Sequence, residues 1–365
     1  MEIYLIGLAV ALVGGLLMSR LTRLLHLPAV TAYLVAGLLL GPFFLGRLNV
    51  PGLGFNTLEE VNVLSIVSQT ALGFIAFAMG NEFRLSQLRT IGSRAIIIGI
   101  LQAVITTIVV DVILLLLHLF FPHIISVPCA ITLSAIAAAT APAATLMVVR
   151  QYKADGPMTR LLMLVVALDD AVGLLLFSVS FGIATALSNG QVSVLAVVVE
   201  PIVEILLSVG LGGFMGLLLH WVERFFHSRS KRMSLSVAFV MLTVGLSMLE
   251  FQIGPVHCGF SLLLVCMMTG TIFCNVCPTS EELMERVDGW TMPLNILFFV
   301  ISGAELDLNV LSQPVTLIVG IIYIIARSAG KYCGANLSCR ITKEPKSIVD
   351  HLGITLLPQA GVALG

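Results

Sequence analysis

The chain has 365 residues, of which 58% are hydrophobic and only 11% charged, far below the roughly 25% charged residues of a soluble domain. Mean hydropathy is +1.07, and the long apolar runs predict an all-α polytopic membrane protein whose first partner is the lipid bilayer. The formal net charge is -1 and no stretch is both basic and aromatic, which excludes nucleic acid as a partner.

Twelve apolar segments follow in order: 3–19, 28–46, 61–80, 93–120, 127–149, 159–187, 192–222, 233–250, 255–274, 287–304, 310–335 and 348–365. Each is close to the ~20 residues that a spanning helix needs. The opening run, MEIYLIGLAVALVGGLLMSR, has no basic n-region and no small-residue cleavage site, so it reads as a spanning helix rather than a signal peptide. With the N-terminus outside, 16 of the 19 basic residues fall in cytoplasmic turns and only Arg47 falls outside, while Arg327 and Lys331 lie within the eleventh segment. That split is the positive-inside pattern, and it predicts a multi-pass cell-membrane protein.

The third segment ends LGFIAFAMGNEFRLSQL and the tenth ILFFVISGAELDLNVLS, each running through phenylalanine and glycine to a glutamate, Glu82 or Glu305. The second, LPAVTAYLVAGLLLG, similarly matches the ninth, GPVHCGFSLLLVCMMTG. By the charge count Glu82 faces the cytoplasm and Glu305 the outside, so the copies are inverted, as in many secondary transporters. On this repeat the last segment pairs with the fifth, and a thirteenth helix, partner of the sixth, is expected beyond Gly365. Glu82 and Glu305 read as funnel residues or interfacial charges.

The fourth segment carries Asp111, a possible charge partner deep in an apolar run. The fifth reads SAIAAATAPAATLMVV, with Ala139, Thr140, Ala141 and Pro142 at its centre. Proline there frees carbonyls and opens the helix; freed carbonyls and a threonine hydroxyl suit a small hard cation. The bland alternative is a kinked helix whose small residues let neighbours approach. The twelfth segment, LLPQAGVALG, carries Pro358 and Gln359 at the matching depth, and a pair of interrupted helices points to a midplane site.

The sixth segment, LLMLVVALDDAVGLLLF, holds Asp169 and Asp170 in its middle. A carboxylate at membrane depth costs roughly 2.5–3.5 kcal/mol on insertion scales, so two in a row point to function. As neighbours they leave a helix about 100° apart and titrate as a coupled set. The expectation is a site that binds a metal cation and protons in turn. In the eleventh segment, IIYIIARSAGKYCGA, Arg327 lies mid-helix and Lys331 one turn further, on the same face. A buried arginine needs a counter-charge; Asp169 or Asp170 is the first choice and Asp111 the second, while Lys331 could snorkel to the interface. Of the seven cysteines, Cys274 and Cys277 form a lone C-x-x-C, too isolated to signal redox or metal chemistry by itself.

Together ALDDAVG, ATAPAAT, FFVISGAELDL, ARSAGKYCGA and LLPQAGVALG resemble the monovalent cation:proton antiporter superfamily, of the sodium/proton exchanger type. The resemblance implies an inverted-repeat antiporter fold with crossed broken helices, of which 12 of an expected 13 helices are present here, and a homodimer built from a dimerisation part and a mobile core. It implies dimerisation helices over 1–60, core over 61–190, a linker over 191–228, dimerisation helices over 229–278 and core over 279–365. It maps the ion and proton site to Asp169 and Asp170, the helix crossing to Thr140–Pro142 and Pro358, and the basic partner to Arg327 or Lys331, Arg327 being preferred on depth. A double aspartate resembles the electrogenic branch. Many relatives place an aspartate where this chain has Ala141.

The expected activity is exchange of Na+, or Li+, for protons by alternating access, with K+ the nearest rival ion and no cofactor. The chain is not expected to be an enzyme. An intramembrane aspartyl protease needs its two aspartates on separate helices, and adjacent ones cannot clasp a water between them. A channel or membrane sensor is the remaining alternative of another class.

Overall fold

A computed structural model describes residues 2–24, 27, 29–48, 50, 54–81, 83–85, 93–140, 145, 149, 153–188, 199–249, 251–253, 256–311 and 313–359; within these, the side chains of Asp170, Glu200 and His257, among others, lie outside the description. The elements are α1 (Glu2–Leu24), α2 (Ala29–Leu40), α3 (Leu58–Asn62), α4 (Ser65–Asn81), α5 (Ser93–Phe120), α6 (Val127–Ile136), α7 (Pro157–Ser188), α8 (Glu200–Glu223) and α9 (Arg229–Ser247). After a hairpin of β1 (Phe251–Ile253) and β2 (Val256–Cys258) come α10 (Leu262–Val276), α11 (Ser280–Glu305), α12 (Leu308–Leu311), α13 (Pro314–Ile341) and α14 (Lys346–Thr355).

Much of the molecule's apolar side-chain surface faces outward. On α13, Leu317, Ile318, Ile321, Ile324 and Ile325 are exposed while Arg327, Lys331 and Ser338 are buried. That reverses the order usual in water, and it suits a bundle solvated by lipid. Among the described residues five helical stretches are long and apolar enough to cross a bilayer: Tyr4–Thr22, Ala29–Leu48, Ser93–Phe120, Ile202–Glu223 and Pro314–Ile341.

The helices pack as two groups. In the first, α2 lies on α1 and α11, α4 on α10 and α11, and α8 and α9 against α10. In the second, α5 lies against α13, α6 and α7, α6 against α7, and α14 against α13. The buried apolar clusters respect the division: Ile98, Val165, Ala335 and Leu352 belong to one cluster, Phe74, Leu219, Val240 and Phe273 to another. The principal contacts between the groups run from α7 to α8 and α10.

Glycine sets the closest approaches in the first group. A Cβ on Gly37 of α2 would overlap the Val300 carbonyl of α11, and one on Gly303 would overlap that of Leu34. Between α4 and α10, a Cβ on Gly80 would overlap the Met267 carbonyl, and one on Gly270 that of Phe77. In both pairs each glycine meets the carbonyl three residues before its partner glycine. The proposed repeat matches the second segment to the ninth and the third to the tenth, and it carries one pair onto the other.

The structure departs from the sequence reading at several helix ends. The predicted helix 127–149 stops at Ile136, and 348–365 stops at Thr355, because the chain opens ahead of Pro142 and Pro358. The predicted helix 255–274 starts at Leu262, and the hairpin, which pairs Phe251 with Cys258, precedes it. In the packing, α4 and α11 lie with α1, α2, α9 and α10.

Candidate functional site

The site forms where α5, α7 and α13 meet the end of α6. Glycines bring α13 onto α5: a Cβ on Gly334 would lie 2.8 Å from the Gln102 carbonyl, and one on Gly330 would lie 3.2 Å from that of Thr106. Lys331, between them in sequence, is thereby carried against Gln102. α6 ends at Ile136 with Ala137 as its C-cap, so the carbonyls of Ala138 and Ala139 fall outside the helical ladder.

Asp169 projects from α7 into this space. Its Oδ2 lies 2.6 Å from the Lys331 ammonium, and both side chains have no solvent exposure. The Thr140 hydroxyl donates to the same oxygen, and Gln102 Nε2 donates to Oδ1 at 2.5 Å. The ammonium also donates to Thr140 Oγ1 at 2.9 Å, to Gln102 Oε1 at 3.2 Å and to the Ala138 carbonyl. A lysine thus sits among oxygens of a carboxylate, an amide, a hydroxyl and a backbone carbonyl, gathered from two helices and a helix break. Oxygen is the ligand type that hard cations take.

Arg327 takes the neighbouring position. Its guanidinium donates to the carbonyls of Leu357 at 2.5 Å, Ala139 at 2.9 Å and Pro358 at 3.5 Å, tying the interrupted stretch after α6 to the one after α14. Gln359 adds a second tie, donating from Nε2 to the Ile136 carbonyl at 3.0 Å and to the Tyr323 hydroxyl at 2.9 Å.

The preference for Arg327 as counter-charge to Asp169 is therefore corrected: the ion pair is made by Lys331, and Lys331 does not snorkel. The reason is chemical. A compact ammonium suits one carboxylate in a small cage, whereas a forked guanidinium can satisfy several stranded carbonyls at once. Among the described residues Asp111 forms no ion pair with either base; it sits on α5 with Oδ1 buried and unpartnered. Glu305 is exposed at the end of α11, without a described bond to the site. Thr140 and Ala139 are brought together with Asp169 and Arg327, and Pro358 and Gln359 with Arg327 and Ile136. Glu82, Ala141, Pro142 and the side chain of Asp170 lie outside the described residues. Gln102 is a site residue that the sequence analysis did not single out. Its signal was a lone amide in the apolar run IIIGILQAVITTIVV, which needs buried partners.

These features define a class: a multi-pass helical membrane protein with a fully buried carboxylate–ammonium pair at a helix break. The family model described as sodium/hydrogen exchanger, transmembrane, matches residues 8–364, and the chain belongs to that family. The fold is similar to that of the sodium proton antiporter MjNhaP1 from Methanocaldococcus jannaschii at pH 8, with TM-score 0.74 at 18% identity over 98% of this chain and 83% of that one. A map of the same antiporter by electron microscopy gives TM-score 0.69 at 17% identity, over 96% of this chain and 82% of that one. In sequence, 94 residues are 31% identical to K(+) efflux antiporter 5 of Arabidopsis thaliana; the match spans 26% of this chain and only 14% of that relative.

Proposed function

We propose that this chain exchanges a monovalent cation, Na+ first and Li+ next, for protons by alternating access across the cell membrane, with Asp169 and Asp170 as the carriers. The observation that carries this reading is the setting of Lys331 Nζ, a monovalent cation of the chain itself held by Asp169, Thr140, Gln102 and Ala138 oxygens away from solvent. An incoming alkali ion needs the same oxygens. Two unit charges 4 Å apart repel by about 4 kcal/mol at an effective dielectric of 20. The ion and the charged ammonium therefore exclude one another, and loading the ion displaces the ammonium or removes its proton. That competition couples cation uptake to proton release, and the double aspartate, as in the electrogenic branch, supports an electrogenic exchange. No cofactor is needed beyond the transported ions, and no covalent chemistry is assigned.

The wider reading is a homodimer with its N-terminus outside, in which the site-bearing group moves against the other and the two interrupted stretches cross at the midplane. K+ is the second reading for the ion, favoured by the local likeness to a plant K(+) efflux antiporter. Proteoliposomes test both. Internal pH is recorded on adding Na+, Li+ or K+, with and without a voltage clamp, for wild type, Asp169→Asn and Asp170→Asn. Cation-driven proton flux is expected in wild type and absent in both variants. Unchanged flux in both would remove the aspartates from the mechanism, and flux with K+ alone would reassign the ion.

A further inference from the structure

Away from the ion site, the C-terminal ends of α8 and α10 bring together a second cluster. His220 and Glu223 are three residues apart on α8, hence on one face, and Cys277 caps α10. One ligand atom from each lies within 4.8 Å of the others. They are 8%, 3% and 4% exposed. The Cys277 thiol donates to Glu223 Oε2 at 2.9 Å, and the Thr279 hydroxyl donates to Oε1 at 3.1 Å. Arg232 Nε lies 3.3 Å from Oε1, and Arg224 Nη2 lies 2.7 Å from His220 Nε2. His220 Nδ1 is buried without a partner.

We propose that His220, Glu223 and Cys277 bind a divalent transition metal of the Zn2+ type. One thiolate sulfur, one imidazole nitrogen and one carboxylate oxygen make a three-ligand zinc set, with the fourth tetrahedral position left to water. The sulfur selects against Mg2+ and Ca2+, which take oxygen. An imidazole nitrogen that accepts from a guanidinium carries no proton there, and a neutral imidazole is the form that ligates. Arg224 is exposed and has room to withdraw into solvent. Thr279 and Arg232 already orient the carboxylate, as outer partners of metal ligands do. On binding, the metal ion sheds waters, bonds form to sulfur, nitrogen and oxygen, and the thiol proton leaves to solvent. The bound metal ties the end of α8, which contacts both helical groups, to α10.

The test uses the purified full chain in detergent, stripped with a chelator and titrated with Co2+. The expected result is a thiolate-to-cobalt charge-transfer band at one equivalent per chain, bleached by Zn2+. The band is lost in Cys277→Ser and kept in Cys274→Ser, and Thr279→Val weakens binding by about 10–100-fold. Asp169→Asn keeps the band, so the result stands apart from the transport reading. A second readout covers misfolding of the serine variant: Zn2+ raises the melting temperature of the chelator-stripped wild type, and Mg2+ at the same concentration does not. Absence of the band, its survival in Cys277→Ser, or a melting temperature unmoved by Zn2+ overturns the proposal.

Discussion

Asp169 and Lys331 have no exposure at all, so each depends on the other for its charge. Breaking a buried pair from one side costs about 3–5 kcal/mol, because the remaining charge is left uncompensated. Lys331→Gln keeps an amide near Gln102 and Thr140 but removes the ammonium. The variant is expected to melt well below wild type in choline buffer and to regain stability when Na+ is added, since Na+ can then fill the oxygen cage unopposed. Thermal scans in choline and Na+ check this; an equal loss in both would argue against shared oxygens. Arg327 acts differently, because its partners are carbonyls rather than a carboxylate. Each such bond is worth about 1.5–3 kcal/mol, and a lysine cannot span both interrupted stretches. Arg327→Lys is therefore expected to lower the melting temperature and slow exchange about tenfold or more, while the Asp169–Lys331 pair stays intact. Wild-type rates in Arg327→Lys liposomes would show that its charge alone suffices.

At the scale of the elements, the paired glycine contacts are among the tightest helix joints of the described residues. Overpacking a tight contact costs about 1–3 kcal/mol, and here the obstacle is backbone, which cannot rotate aside. Gly37→Ala and Gly270→Ala are expected to destabilise to a similar degree, because the repeat relates their surroundings. Gly245→Ala, with nothing near its added Cβ, should be neutral. Melting curves of the three decide it; a neutral Gly270→Ala would undo the equivalence. Much at this scale could be read in the sequence. The apolar runs marked several of the spanning helices, Ser93–Phe120 and Pro314–Ile341 among them, and proline in ATAPAAT and LLPQAG marked where α6 and α14 give way. The hairpin at 251–258 was hidden because FQIGPVHC is as apolar as a helix end, and hydropathy does not separate the two over so few residues. Lys331 was ranked below Arg327 because depth was counted along one helix. The close approach at Gly330 and Gly334 decides which base reaches Asp169, and that is a property of the helix pair.

The whole molecule divides into a group that holds the ion pair and a group that does not, joined chiefly where α7 meets α8 and α10. The proposed alternating access needs one orientation in the membrane, and the distribution of basic residues predicts it. If the N-terminus is outside, the turns near Asp155 and Lys231 face the cytoplasm and those near Arg47 and Asp307 face out. Cysteines introduced at these four positions test the arrangement, in a background with Cys258 and the exposed Cys129 and Cys333 replaced by serine. In right-side-out vesicles a membrane-impermeant maleimide is expected to label Arg47→Cys and Asp307→Cys at once. Asp155→Cys and Lys231→Cys should react only after permeabilisation. The outer pair is the sharper half of the test, because Arg47 precedes α3 and Asp307 follows α11, with the proposed repeat inversion between them. Labelling of one without the other requires an odd number of crossings between 47 and 307. That would break the inverted relation between Glu82 and Glu305, and with it the reason for matching one helix break to the other.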